Sequence, residues 1–167
     1  MKRITWFMLP LILFLGLAVF LFQGLYSDPK ARESTAVAKA FPDFNLPDLM
    51  DESIMYDNSV FDGQITLINV WGVWCNTCAI EVPYLESLKN QGYRVVGLYY
   101  DQDLDPDFGT KTIDRVRTEV IATLSKFGDP YAFNIFDVYR NTSLDLGVTG
   151  APETFLVDQK GVILVHH

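Results

Sequence analysis

Apolar residues follow different patterns along this chain, and the first pattern is an unbroken run. From Ile4 to Leu25, 22 residues rich in Leu and Phe carry no charge. That length can cross a hydrocarbon core of about 30 Å as a helix, and a helix apolar on every side is not a soluble surface helix. Lys2 and Arg3 precede the run, and Ser27, Asp28 and Pro29 follow it. Because positive flanks stay on the cytoplasmic side, the pattern predicts a single-pass anchor over residues 1–27, with everything after Tyr26 outside. A cleaved signal peptide is the competing reading. Against it, the run exceeds the usual signal-peptide core of about 7–15 residues, and no clear small-x-small cleavage site follows.

Past the anchor, residues 28–40 are polar and alanine-rich and read as a linker, and residues 41–167 read as one domain. Phe41 to Leu49 alternates apolar and polar positions between prolines, which predicts an edge strand. Residues 51–64 read as loop and turn. Gln64 to Trp71 is a short run of β-forming residues, as expected for a strand buried on both faces. From Asn76 to Asn90 the apolar positions Ile80, Tyr84, Leu85 and Leu88 recur at helical spacing and Gly92 follows as a stop, with Pro83 expected to kink the helix. A strand over Tyr93–Tyr100, an acidic loop over Asp101–Asp107 and a helix from about Thr110 to Phe127 come next. Ala132–Phe136 reads as a strand and Thr142–Gly147 as a helical turn. Thr154–Asp158 and Val162–Val165 form a hairpin around Gln159-Lys160-Gly161. Strands alternating with helices predict an α/β domain with a central parallel strand.

Charge narrows the partners. All 21 acidic residues lie at or beyond Asp28, so the body carries 11 basic against 21 acidic side chains, a formal charge of −10. Such a body should repel nucleic acid.

The chain has two cysteines, Cys75 and Cys78. A pair at i, i+3 closes almost no loop and makes a poor staple. A structural zinc site needs about four ligands, and the only histidines are His166 and His167 at the far end. Two inert core thiols fit badly at a strand-to-helix junction flanked by Trp71 and Trp74. Thiol–disulfide exchange fits best. The attacking species is a thiolate, and at a helix start unpaired N–H groups and the helix dipole favour an anion at Cys75. Cys78, one turn in, is shielded yet within reach. Cys75 is therefore the expected nucleophile and Cys78 the resolving thiol.

Trp71-Gly-Val-Trp74-Cys75-Asn-Thr-Cys78, with Pro83 eight positions after the first cysteine, resembles the active-site strand and kinked helix of thioredoxin-like proteins. Gly147-Val-Thr-Gly-Ala-Pro152-Glu153-Thr-Phe155 resembles the cis-proline loop of that fold. With Asn69-Val-Trp-Gly, Arg94-Val-Val-Gly-Leu, Asp129-Pro-Tyr-Ala and Leu144-Asp-Leu-Gly-Val, these segments are similar to the DsbE/CcmG branch of membrane-tethered thiol reductases of cytochrome c maturation.

The resemblance runs from about Ala38 to the end and implies a thioredoxin-like fold, a mixed sheet flanked by helices. It implies a cis-proline at Pro152 against the two sulfurs, with the Ala151 backbone offering an extended edge to a client peptide. It places two acidic residues, Glu81 and Glu153, close to the cysteines. There a carboxylate raises a thiol pKa and can take the proton that Cys78 loses. Asn69 stands where ordinary thioredoxins carry a buried aspartate, which shifts proton handling toward Glu81 and Glu153.

The implied activity is reduction of disulfides in apocytochrome c, or in a companion maturation factor, on the periplasmic side of a bacterial inner membrane. Electrons would come from a transmembrane thiol reductase of the DsbD/CcdA type, and no metal, flavin or nucleotide would be needed. Two alternatives stay open: a TlpA/ResA-type reductase for other clients, and a non-catalytic module that holds a client or metal. The family also continues past the last strand into a C-terminal helix, whereas this sequence stops at His167. Either the chain is a fragment or one sheet face lies uncovered, and an uncovered face predicts low stability or aggregation.

Overall fold

The computed structural model describes residues 2–25, 36–104 and 110–167. Residues 26–35, which include most of the expected 28–40 linker, and residues 105–109, which include the end of the expected Asp101–Asp107 loop, lie outside the described residues. The chain divides into two compact units, residues 1–33 and 34–167.

In the first unit, helix α1 covers Lys2–Leu25. Its large apolar side chains from Met8 to Phe22 are exposed. Over the residues whose side-chain surroundings are described, no helix is long and apolar enough to cross a membrane. The membrane-spanning reading therefore rests on the sequence.

The second unit is built on a five-stranded sheet in the order β5-β4-β3-β6-β7. Its strands are β3 (Thr66–Trp71), β4 (Arg94–Tyr99), β5 (Asn134–Phe136), β6 (Glu153–Val157) and β7 (Ile163–His166). Strands β3, β4 and β5 run parallel, whereas β6 and β7 are antiparallel to their neighbours, so the sheet is mixed. Helix α2 (Asn76–Asn90) follows β3, α3 (Ile113–Phe127) follows β4, and the short α4 (Asn141–Asp145) leads toward β6. Thr112 caps α3 by accepting a hydrogen bond from the Arg115 amide.

Two expectations are corrected. Residues 41–49 form a strand only over β1 (Asn45–Pro47), which pairs antiparallel with β2 (Met55–Asp57), a strand in the stretch read as loop. This hairpin reaches the outer edge of β5 through an Asp48–Ile135 bridge and a hydrogen bond from the Leu49 amide to the Asn134 carbonyl. Second, α2 has the expected ends but a different buried face. Cys78, Val82 and Leu85 are buried, while Ile80 and Tyr84 are exposed. The spacing of Cys78, Val82 and Leu85 is itself helical, so the helix turns its cysteine toward the sheet and puts two larger apolar residues outside.

Both sheet faces are packed. One carries Ile68, Val70, Val96, Leu98 and Phe155 against Phe41, Phe44 and Phe61 from the segments before β3. The other carries Trp71, Val95, Tyr99 and Phe136 with Leu85 of α2 and Val116 and Val120 of α3. Exposed apolar surface remains at Leu164 and Val165 of β7.

Candidate active site

Strand β3 delivers the chain to a tight turn at Gly72-Val73-Trp74. A side chain at Gly72 would collide with the Trp74 indole and the Tyr100 carbonyl oxygen, so glycine is what lets these groups close over the turn. The Trp74 Nε1 donates to the Tyr100 carbonyl at 3.0 Å and fixes the indole beside the cysteines. Cys75 follows as the N-cap of α2, and its sulfur accepts a hydrogen bond from the Cys78 amide at 3.1 Å. The helix start thus aims an N–H at this sulfur, as anion stabilisation requires.

Cys75 and Cys78 are joined in a disulfide. Both are nearly buried, Cys75 at 6% exposure and Cys78 at 4%. The junction does not bring the first cysteine far out, because both cysteines belong to the buried cluster against which Val73, Trp74 and Ala151 pack. The Ala151–Pro152 peptide is cis, and the Ala151 carbonyl oxygen lies 3.3 Å from the Cys75 sulfur. Two segments 76 residues apart therefore meet at one sulfur atom.

Glu81 stands three residues after Cys78 on α2, a spacing that puts the two on adjoining helix positions. Its half-buried carboxylate receives the Asn69 amide at 3.3 Å. Burial pushes its pKa above the ordinary glutamate value, and the Asn69 hydrogen bond and the charge of His167 pull the other way. Asn69 is itself buried at the centre of β3. It also donates to Thr154 Oγ1 at 3.0 Å and accepts from the Tyr131 hydroxyl at 2.8 Å. Burial, and then the nearby Glu81 and Asp129, hold that phenol well above its usual pKa, so it stays a proton donor to Asn69.

Glu153 is held differently. Its Oε1 accepts from the Thr149 amide at 2.8 Å, the Thr149 hydroxyl at 2.9 Å and the Gly150 amide at 3.1 Å. Its Oε2 lies 2.8 Å from His166 Nε2, and the His166 ring stacks on Phe155 at 4.1 Å. This carboxylate ties the loop that carries Pro152 to β7.

Cys75, Cys78, Pro152, Glu81 and Glu153 are the site residues that the sequence singles out. Tyr131, Thr154 and His166, whose contacts join distant segments, carry no local sequence signal. Trp71 packs in the core, stacked on Tyr131 and edge-on to Tyr99. Trp74 lies at the rim.

A Redoxin family model matches residues 36–167. The thiol:disulfide interchange protein DsbE of Pseudomonas aeruginosa is 39% identical over 163 residues, 98% of this chain and 83% of the relative. Its namesake from Vibrio cholerae is 40% identical over 164 residues, 95% of this chain and 82% of the relative. Among solved structures, a thio-disulfide isomerase from Thermus thermophilus superposes with a TM-score of 0.59 at 19% identity, covering 78% of this chain and 84% of the other. A secreted Mycobacterium tuberculosis disulfide oxidoreductase superposes at 0.55 and 17%, covering 74% and 81%. The mixed sheet and its flanking helices are thus a thioredoxin-like fold. With its Cys75–Cys78 disulfide, this chain belongs to the DsbE thiol:disulfide interchange proteins of the Redoxin family and is a thiol:disulfide oxidoreductase.

Proposed function

We propose that the Cys75/Cys78 pair is a dedicated reducing centre, tethered by residues 1–27 to a bacterial inner membrane with residues 41–167 in the periplasm. The observation that carries the site assignment is the meeting of the Cys75 sulfur with the Ala151 carbonyl beside cis-Pro152, with Glu81 one helical step from Cys78. In the reduced protein the Cys75 thiolate attacks one sulfur of a client disulfide. A mixed disulfide forms, and the other client sulfur leaves as a thiolate and takes a proton. Cys78 then gives its proton to Glu81 and attacks the Cys75 sulfur. The second client sulfur is released as a thiolate and protonated, and Cys75–Cys78 is left oxidised. Two electrons pass to the client, and the dithiol carries both, so the cycle needs no metal, flavin or nucleotide.

Glu81 suits the proton step because burial already favours its protonated form. Pro152 and the Ala151 backbone form the shelf on which the client's extended chain lies, and Glu153 holds that shelf through Thr149 and Gly150. The client is apocytochrome c or a companion factor of its maturation, and a DsbD/CcdA-type membrane thiol reductase returns the electrons. The family resemblance supports this assignment, and the uncharged apolar sequence from Ile4 to Leu25 supports the tether.

The test is the redox midpoint of Cys75/Cys78, measured by thiol trapping across a series of thiol buffers. A reductant should lie near or below about −270 mV, whereas a value close to about −120 mV would mark a disulfide donor and remove the cytochrome c assignment.

A further inference from the structure

Arg140 is the anomaly of this site. It occupies the left-handed region, with φ 61° and ψ 16°, a conformation disfavoured for a residue with a Cβ. Its guanidinium lies 4.4 Å from the centre of the Tyr100 ring. Among the described residues its side chain makes no hydrogen bond and no ion pair, and its Nε is buried without a partner, while its backbone amide donates to the Asp137 carbonyl. The Tyr100 hydroxyl beside it is also buried and unpartnered. In a chain with 21 acidic residues against 13 basic ones, Lys111, Arg115 and Arg117 all find carboxylates. The Asp137 carboxylate is engaged by the Ser143 amide and hydroxyl, and Glu153 by its loop and His166.

This arginine is linked to the redox centre through two rings, Tyr100 and Trp74. Tyr100 packs against Trp74 at 5.1 Å, and Trp74 directly precedes Cys75. Stacking uses the face of the guanidinium and leaves its N–H groups in the plane for an acceptor. Arg140 is partly exposed, so an acceptor can come from outside. The ligand that matches a planar cation with unused donors is a carboxylate, taken end-on by the terminal Nη groups because the Nε is buried.

We infer that Arg140, stacked on Tyr100, forms a carboxylate-recognising subsite beside Cys75 that selects client disulfides bearing Asp or Glu next to the attacked cysteine. The net charge of the body repels such a client, so a cation close to the cysteines sets the register in which it docks. The inference rests on Cys75 being the attacking sulfur, and its test reports that separately.

The reduced full chain, kept in detergent, is given two short disulfide-linked peptides that differ only in Glu or Gln beside one cysteine. The kcat/KM ratio of the Glu to the Gln peptide should be about tenfold and should fall as salt is added. Arg140→Gly, which suits the left-handed backbone, should bring the ratio to about one, and Arg140→Lys, which keeps the charge and loses the fork, should leave it between. A wild-type ratio near one, or a ratio unchanged in Arg140→Gly, would overturn the subsite. If neither peptide reacts with the wild type, the assignment of Cys75 as attacking sulfur fails instead.

Discussion

Glu81 and Glu153 stand beside the two halves of the redox site, one just after Cys78 on α2 and the other just after cis-Pro152, yet they are held in opposite ways. Glu153 accepts three hydrogen bonds on one oxygen and meets His166 with the other. Among the described residues Glu81 has one long hydrogen bond, from the Asn69 amide at 3.3 Å, and burial favours its neutral form. A carboxylate whose lone pairs are occupied braces structure; one that is poorly solvated and lightly bonded is ready to take a proton. The proposed cycle therefore divides the work between them, with Glu81 assigned to the chemistry and Glu153 to the shape of the loop.

Removing each in turn should expose that division. Glu81→Gln should slow the release step about 100-fold at neutral pH. The deficit should shrink as alkali ionises Cys78 directly, which stopped-flow single turnovers over a pH series would read. Glu153→Ala frees the Thr149 and Gly150 donors and should cost about 1–3 kcal/mol of stability, read from denaturant melts of the oxidised protein. Its pH profile should keep the wild-type shape. If Glu153→Ala instead showed the alkaline recovery, the two roles would have to be exchanged.

Stability against pH sharpens the contrast. Because the Glu81 pKa is raised on folding, the native state binds more protons than the unfolded chain between the ordinary glutamate value and the raised one. Stability contributed by this group is present below that window and is lost as pH rises through it. Glu81→Gln should therefore be the more stable protein above the window and match the wild type below it. Tyr131→Phe removes the donor to the Asn69 Oδ1 and should cost about 1–2 kcal/mol. His166→Phe keeps a ring against Phe155 while deleting the contact to Glu153, and should cost under about 1 kcal/mol.

What the sequence revealed of this site followed the range of the interactions. The Cys-x-x-Cys pair, the ends of α2 and the strands β3, β4 and β6 are written in local spacing, and the cis-proline loop in a contiguous motif. The strand β2 is invisible locally, because Met55-Tyr56-Asp57 is a strand only through its pairing with β1. The rotation of α2 is equally non-local: Ile80 and Tyr84 make a plausible apolar stripe, but the packing of Cys78, Val82 and Leu85 against the sheet decides which side is buried. Asn69 meets Tyr131 across 62 residues and Thr154 across 85, and no short pattern encodes those bonds. Arg140 and His166 were illegible for the same reason, since their partners lie on other elements.

In the proposed cycle Cys75 attacks and Cys78 resolves, and trapping tests that order most directly. Full-length Cys78→Ser, reduced and mixed with a disulfide-linked peptide of the haem-attachment form Cys-x-x-Cys-His, should accumulate a mixed disulfide that peptide mapping places on Cys75. Turnover without any adduct, or release of reduced peptide as fast as from the wild type, would contradict it.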